Sequence, residues 1–380
     1  MINFDNAATT PVYSQCKEII ARYADEVFFN PSARYLPAVN VAMDVRRARE
    51  GLAKLLGAQR DEIFYTSSGT EADNWAVFGT VRRPEQGFIC SAVEHSAIYN
   101  VGKELKNRGH NVAFAPVNKD GSVDVEALID LVDSNTALVS IMHVNNETGA
   151  VNDLAKISAL IKKKNPKVLV HSDGVQAFCK IPVNLARMGV DMYTISGHKV
   201  HAPKGVAALY VKKGVKIHPY LFGGGQESGM RSSTENVGGI IAFTHAAEIL
   251  CKTISDVREK NTQLARFIVE KLSERYNGGF KVNTDLNNFS GSILNFSING
   301  IMGEVLLHSL EREGILISTG SACSTKKGIS RIPKELGLNE GFAKGTVRLS
   351  FSQDSTMAEA EEFVEKSTKI IDELLSFRKK

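Results

Sequence analysis

A chain of 380 residues, 43% apolar and 23% charged, has the makeup of a soluble globular protein and exceeds what one hydrophobic core usually spans. Two domains are expected. The formal net charge of +4 is mild, and the basic runs at 162–164 and at the C-terminus read as solvated helix ends, which sets aside direct nucleic-acid binding as the main role.

The apolar runs are too short for a membrane span, and "MINFDNAATTP" lacks the basic-then-apolar pattern of a secretory signal, so a cytoplasmic protein is expected. The five cysteines, at 16, 90, 179, 251 and 323, are odd in number and scattered. Without CxxC or Cys/His ligand spacing, they indicate neither a disulfide framework nor a metal site.

In chain order, "VRRAREGLAKLLGA" has helical spacing, "EIFYTS" is β-prone, and "TEADNWAVFGTV" is helical again. Candidate strands follow in "GFICS", "NVAFAPV", "TALVSIMHV", "KVLVHSD", "DMYTIS" and "GVAALYV". Helical stretches such as "AIYNVGKELKNRG", "DVEALIDLVD" and "LAKISALIKKKN" fall among them. This alternation predicts an α/β domain around a mostly parallel sheet. Beyond about residue 255 the texture shifts to a long helix, "VREKNTQLARFIVEKLSERY", then "SILNFSI", the helix-like "GEVLLHSLEREG", "ILIS" and "TVRLSFS". A closing amphipathic helix completes a smaller α+β domain. The expected division is 15–255 for the large domain, with 1–14 and 256–380 forming the small one.

Reactive residues collect just after the predicted strands. Ser68-Gly69-Thr70-Glu71, Glu94-His95, Asn145-Asn146-Glu147, Asp173 with Gln176, and Gly197-His198-Lys199 each follow one. In an open α/β sheet, ligands bind beyond the carboxyl ends of the strands. Gly69-Thr70 opens a helix, which suits either a phosphate or an ordinary cap. "GGGQESG" misses the dinucleotide spacing, and no P-loop is present. Lys199 at a strand end reads as a solvated charge or as a desolvated amine able to form a Schiff base. Asp173 reads as a helix cap or as the acid that keeps a pyridine nitrogen protonated. His95 reads as a packed or capping histidine or as a site residue. Together they point to a pyridoxal phosphate (PLP) site.

Through "FDNAATTP", "TSSGTEADN", "VEHSAI", "HVNNETG", "HSDGVQ", "SGHK", "PKG", "MRSSTEN", "TGSAC" and "VRLSFS", the chain resembles the cysteine desulfurases of the NifS/IscS type within the class V aminotransferase-like PLP enzymes. The resemblance implies the PLP-dependent transferase fold type I: a large domain with a mostly parallel seven-stranded sheet, and a small domain carrying a loop with Cys323. It implies that Lys199 carries PLP and moves protons on the substrate. His95 would stack on the ring, Asp173 pair with its nitrogen, and Gln176 bond its oxygen. Gly69, Thr70, Ser196 and His198 would hold the phosphate, joined across a homodimer by Thr234 of the partner chain. Asn146 and Arg348 would orient L-cysteine. Cys323 would take its sulfur as a persulfide, leaving alanine, for an acceptor protein in iron–sulfur assembly or tRNA thiolation.

The neighbourhood of Cys323 agrees, because "TGSACSTKKG" surrounds the thiol with small polar residues and two lysines that favour the thiolate. The chain departs from the family at Ala33-Arg34-Tyr35, at Ser233 in "RSST", and at Ala202 before "PKG". A selenocysteine lyase or other β-eliminating lyase is the competing enzyme reading, against which Cys323 stands. A silent scaffold is the competing non-enzymatic one, against which Lys199, Asp173, His95, Arg348 and Cys323 together stand.

Overall fold

The structure, a computed structural model, describes residues 1–319 and 331–378; Cys323, with Lys326 and Lys327, lies outside the described residues. In chain order the strands are β1 (Ile2–Asn3), β2 (Ile63–Thr66), β3 (Gly87–Ser91), β4 (Val112–Ala115), β5 (Thr136–Ser140), β6 (Leu169–Asp173), β7 (Met192–Ser196), β8 (Ala207–Val211), β9 (Phe280–Val282), β10 (Ile293–Ile298), β11 (Ile315–Leu316) and β12 (Thr346–Ser350).

Seven of them form one sheet in the order β2-β8-β7-β6-β5-β3-β4. The run from β7 to β4 is parallel, and β8 is antiparallel to both its neighbours. The fold is therefore α/β with a mixed, mostly parallel seven-stranded sheet. Every residue of β3 and β7 is buried, the unbroken apolar pattern of strands covered on both faces. One buried cluster packs helices Leu36–Leu56 and Val237–Leu250 on one face, with Leu52, Tyr193 and Phe243 fully enclosed. A second, around Trp75, Phe88 and Ile98, lies on the other face under helices Gly69–Thr80 and Ser96–Asn107.

A separate apolar cluster joins the first residues to the last. Ile2 and Phe4 pack with Leu264, Ile268, Phe296, Leu306, Val347 and Phe363. The antiparallel sheet β12-β10-β9 and the two-stranded β1-β11 pair frame this cluster. Phe4 meets Phe351 and Phe363 edge to face, with centroids 5.2 and 5.9 Å apart. The N-terminal strand is thus anchored here, and residues 5–10 run from it over the carboxyl ends of β6 and β7.

Candidate active site

The site grows from five strand ends, those of β2, β3, β5, β6 and β7, and the segment that crosses them. Ser196 ends β7 and is buried; the chain then turns through one short 3-10 segment, Gly197–Lys199. The turn puts partly buried Lys199 under the N-terminal segment, where Nζ donates to Ala7 O and Ala8 O, each at 2.6 Å. Burial, then the positive charge of Arg348, brings its amine down to about 8. About a tenth of this lysine is therefore free amine at pH 7, far more than for an ordinary lysine.

Asp173 ends β6, buried, with Oδ1 accepting from Val175 N at 2.9 Å. Burial raises its carboxyl, and the neighbouring charge of His95 opposes the rise. His95 caps helix Ser96–Asn107: its Nδ1 accepts from Ala97 N at 3.2 Å. One nitrogen is spent on the cap, but the ring still reaches the cluster. A ligating nitrogen of His95 and carboxylate oxygens of Asp73 and Asp173 lie within 4.8 Å of one another. Burial lowers His95, against the pull of the Asp173 carboxylate.

Gln176 is buried, with Nε2 donating to Ala7 O at 2.9 Å and Oε1 accepting from Lys180 Nζ at 2.5 Å. A carbonyl only accepts, so Ala7 O settles which end of the Gln176 amide is nitrogen, leaving the oxygen toward Lys180. Asn146 is buried, and its Oδ1 has no hydrogen-bond partner among the described residues. Its main-chain oxygen accepts from Arg348 Nη1 at 2.9 Å, while Arg348 Nη2 donates to Asp5 Oδ1 at 2.8 Å.

At the other side of Lys199, helix Gly69–Thr80 begins with Ser68 Oγ accepting from Glu71 N. A Cβ on Gly69 would come within 3.1 Å of Val175 and 3.6 Å of Ser196, so glycine lets this helix start pack close to the end of β7. Its first-turn N–H groups and dipole favour an anion. His198 joins them: Nδ1 lies 3.3 Å from Thr9 Oγ1, and burial with the charges of Lys199 and Lys204 takes it down to about 4. Thr234 is exposed and lines a cavity of about 140 Å³ with Tyr65, Ser67 and Gly205. Of the departures, Tyr35 precedes helix Leu36–Leu56 and packs edge to face on Phe29, Ser233 is exposed, and Ala202 is buried beside Gly197.

Several site residues were not singled out by sequence reasoning. Asp73 is buried on helix Gly69–Thr80 beside Asp173; its Oδ1 has no hydrogen-bond partner among the described residues and lies 3.7 Å from His171 Nε2, and an acid on the Ala72-Ala76 face was the available signal. Lys180 and Asp5 carried no signal beyond being charged. Arg331 donates to Ala92 O and Glu94 O on either side of Val93. Its guanidinium carbon lies 3.8 Å from the Tyr99 ring centroid.

The aminotransferase class-V family model matches residues 2–363, so the chain belongs to the class V aminotransferase family, whose members use PLP. Within it the chain is similar to proteins named cysteine desulfurase. One from Nostoc sp. is 38% identical over 377 residues, covering 98% of this chain and 94% of that one. A protein named cysteine desulfurase IscS from Clostridium botulinum is 36% identical over 376 residues, covering 97% and 94%. A solved structure described as a NifS-like protein superposes with a TM-score of 0.92 at 34% identity, covering 98% of this chain and 99% of that one.

Proposed function

We infer that the chain is a PLP-dependent cysteine desulfurase that converts L-cysteine to L-alanine and a persulfide on Cys323. The observation that carries this reading is the convergence of a depressed lysine amine, Lys199, with buried Asp173 and Arg348 and partly buried His95 around the carboxyl ends of β6 and β7. The residues fit the cofactor by their chemistry. A buried acid is available for a ring nitrogen, Asn146 Oδ1 and Arg348 Nε have no partner among the described residues and can take a donor and an acceptor respectively, and Gly69 lets the helix start pack close to the end of β7.

PLP, when bound, supplies an electron-withdrawing ring that loosens bonds at the substrate carbons. Asp173 would face its pyridine nitrogen and His95 its ring, while Gln176 would meet the ring oxygen with the amide that Lys180 orients. Gly69, Thr70, Ser196 and His198 would hold the phosphate, with Thr234 of a partner chain in a homodimer. Arg348 and Asn146 would orient the substrate carboxylate. Lys199 would take a proton from the substrate α-carbon and return one to the product. Cys323 thiolate would attack the substrate sulfur: a sulfur–sulfur bond forms, the carbon–sulfur bond breaks, and its electron pair stays with the carbon fragment that is protonated to alanine.

The same reading includes the two-domain division and delivery of persulfide sulfur to an acceptor protein, for iron–sulfur assembly or tRNA thiolation, in the cytoplasm. Among the described residues no single helix is long and apolar enough to cross a membrane. A single turnover of PLP-loaded protein with L-cysteine, without reductant, tests the core of it. Alanine with one added sulfur on Cys323 is expected; alanine with Cys323 unmodified would move the nucleophile elsewhere, and no alanine would sink the cysteine assignment.

A further inference from the structure

Cys179 and Cys251 are 72 positions apart in sequence, yet their Sγ atoms lie 3.2 Å apart. Cys179 sits in the turn after β6, three residues beyond Gln176; Cys251 caps the carboxyl end of helix Val237–Leu250. The other described thiols are differently placed. Cys16 is fully buried and donates to Ala242 O at 3.3 Å, and Cys90 is fully buried inside β3. Both read as small core hydrophobes.

Cys179 does not read that way. Its φ of 58° lies in the left-handed region that residues with a Cβ avoid, and this backbone accompanies a side chain in contact with a second thiol. Cys251 is partly exposed, whereas Cys179 is buried. Burial pushes the Cys179 thiol up, and the hydrogen bond with Cys179 draws Cys251 down. The accessible sulfur is thus the better thiolate and the inner one keeps its proton, the asymmetry of an attacking and a resolving thiol.

We propose that Cys179 and Cys251 form an oxidative modification site: a hydroperoxide closes them into an intrachain disulfide, and a dithiol reductant reopens it. The Cys251 thiolate attacks one peroxide oxygen; the O–O bond breaks, a sulfenic acid forms on Cys251, and the other oxygen leaves as water or alcohol. The Cys179 sulfur then attacks that sulfenic sulfur. The S–S bond forms, the S–O bond breaks, and hydroxide departs as water with the Cys179 proton. Two thiols lose two electrons and one peroxide gains them.

The sulfurs must approach from 3.2 Å to about 2.05 Å, a local adjustment shared between a turn and a helix end. That turn also carries Lys180, whose Nζ holds Gln176 Oε1, so Cys179 lies on the segment that orients Gln176. The inference does not depend on the cofactor assignment.

The test uses the full-length protein, fully reduced and then exposed to hydrogen peroxide raised until Cys323 is oxidised. Denaturation, alkylation with iodoacetamide and peptide mapping without reduction follow. The expected product is a Cys179–Cys251 cross-linked peptide lighter by two hydrogens than the two reduced peptides, and dithiothreitol restores both alkylated sites. Cys251→Ser leaves Cys179 alkylated, and Cys179→Ala yields no cross-link at Cys251; circular dichroism verifies that each variant is folded. Both residues recovered as alkylated thiols once Cys323 is oxidised would overturn the proposal. So would sulfinic acid on Cys251 with Cys179 free, or a disulfide from either residue to Cys323.

Discussion

Arg348 Nη2 donates to Asp5 Oδ1 at 2.8 Å, joining residues 343 positions apart. Arg348 is only 4% exposed, its Nη1 is held by Asn146 O, and its Nε has no partner among the described residues. The carboxylate of Asp5 already lies on one edge of a buried guanidinium, the kind of contact a substrate carboxylate would make. The segment that supplies Asp5 is the one whose Ala7 and Ala8 oxygens hold Lys199. Packing of Phe4 against Phe363 therefore anchors the segment that contacts both Arg348 and Lys199.

Replacing Arg348 with lysine keeps a charge but loses the planar fork. A lost charge-assisted hydrogen bond of about 1.5–3 kcal/mol corresponds to a rise in KM for L-cysteine of roughly 10- to 100-fold. The visible spectrum of bound PLP should be retained, because Arg348 is assigned to the substrate. Steady-state kinetics with a spectrum of each preparation checks this; an unchanged KM would remove Arg348 from substrate binding.

Lys199 should capture cofactor with an unusual pH dependence. Only the free amine is nucleophilic, and the environment brings its pKa from 10.5 to about 8 by burial and the charge of Arg348. The rate of covalent capture of PLP by cofactor-free protein should rise with pH and level off above about 8. Stopped-flow absorbance across that range tests it, with borohydride reduction and peptide mapping placing the label. A rate still climbing toward pH 10 would mean an ordinary, solvated lysine, and Lys199→Ala should abolish the reduced label altogether.

Much of this was legible in the chain itself. The strand segments "GFICS", "KVLVHSD" and "DMYTIS" appear as β3, β6 and β7 because strands buried on both faces leave continuous apolar runs ended by polar groups. Those polar ends carried Asp173 and Lys199. What could not be read were relations set by packing over long separations. The antiparallel β8 looks like any apolar run, since periodicity carries no strand direction. Lys180 resembles a surface lysine until Gln176 is seen beside it, and Cys179 and Cys251 become neighbours only when the turn after β6 meets the end of helix Val237–Leu250.

Glu94 should make stability depend on pH. It is fully buried, its Oε1 accepts from Ser91 Oγ at 2.7 Å and Met142 N at 2.9 Å, and its Oε2 has no partner among the described residues. Burial raises it from 4.5 to about 8 against the pull of those hydrogen bonds. Between these values the folded state keeps a proton that the unfolded chain releases. The contribution is therefore fully present below 4.5 and declines as pH rises toward about 8, at roughly 1.4 kcal/mol per pH unit. Glu94→Gln keeps an acceptor for Ser91 and Met142 and removes the titration. In urea unfolding of the cofactor-free proteins, the variant should gain on the parent by a few kcal/mol between about pH 5 and about pH 8. Parallel pH profiles would show that Glu94 is ionised in the folded protein.

Gly174 has a packing requirement of a different kind. It follows Asp173 directly, and a Cβ there would fall 1.9 Å from Tyr193 Cζ and 2.3 Å from its hydroxyl. Tyr193 cannot yield easily, because it is fully buried and its hydroxyl lies 2.8 Å from His143 Nδ1. Gly174→Ala should therefore destabilise the protein by about 1–3 kcal/mol, the usual range for overpacking, and weaken PLP binding by shifting Asp173. Tyr193→Leu alone should also destabilise, through the lost ring and hydrogen bond. If the clash is the cause, the double variant should be more stable than the sum of the two single changes implies. Urea titrations of all four proteins measure the coupling. Strict additivity would mean that the cost of alanine at 174 arises from its backbone and not from Tyr193.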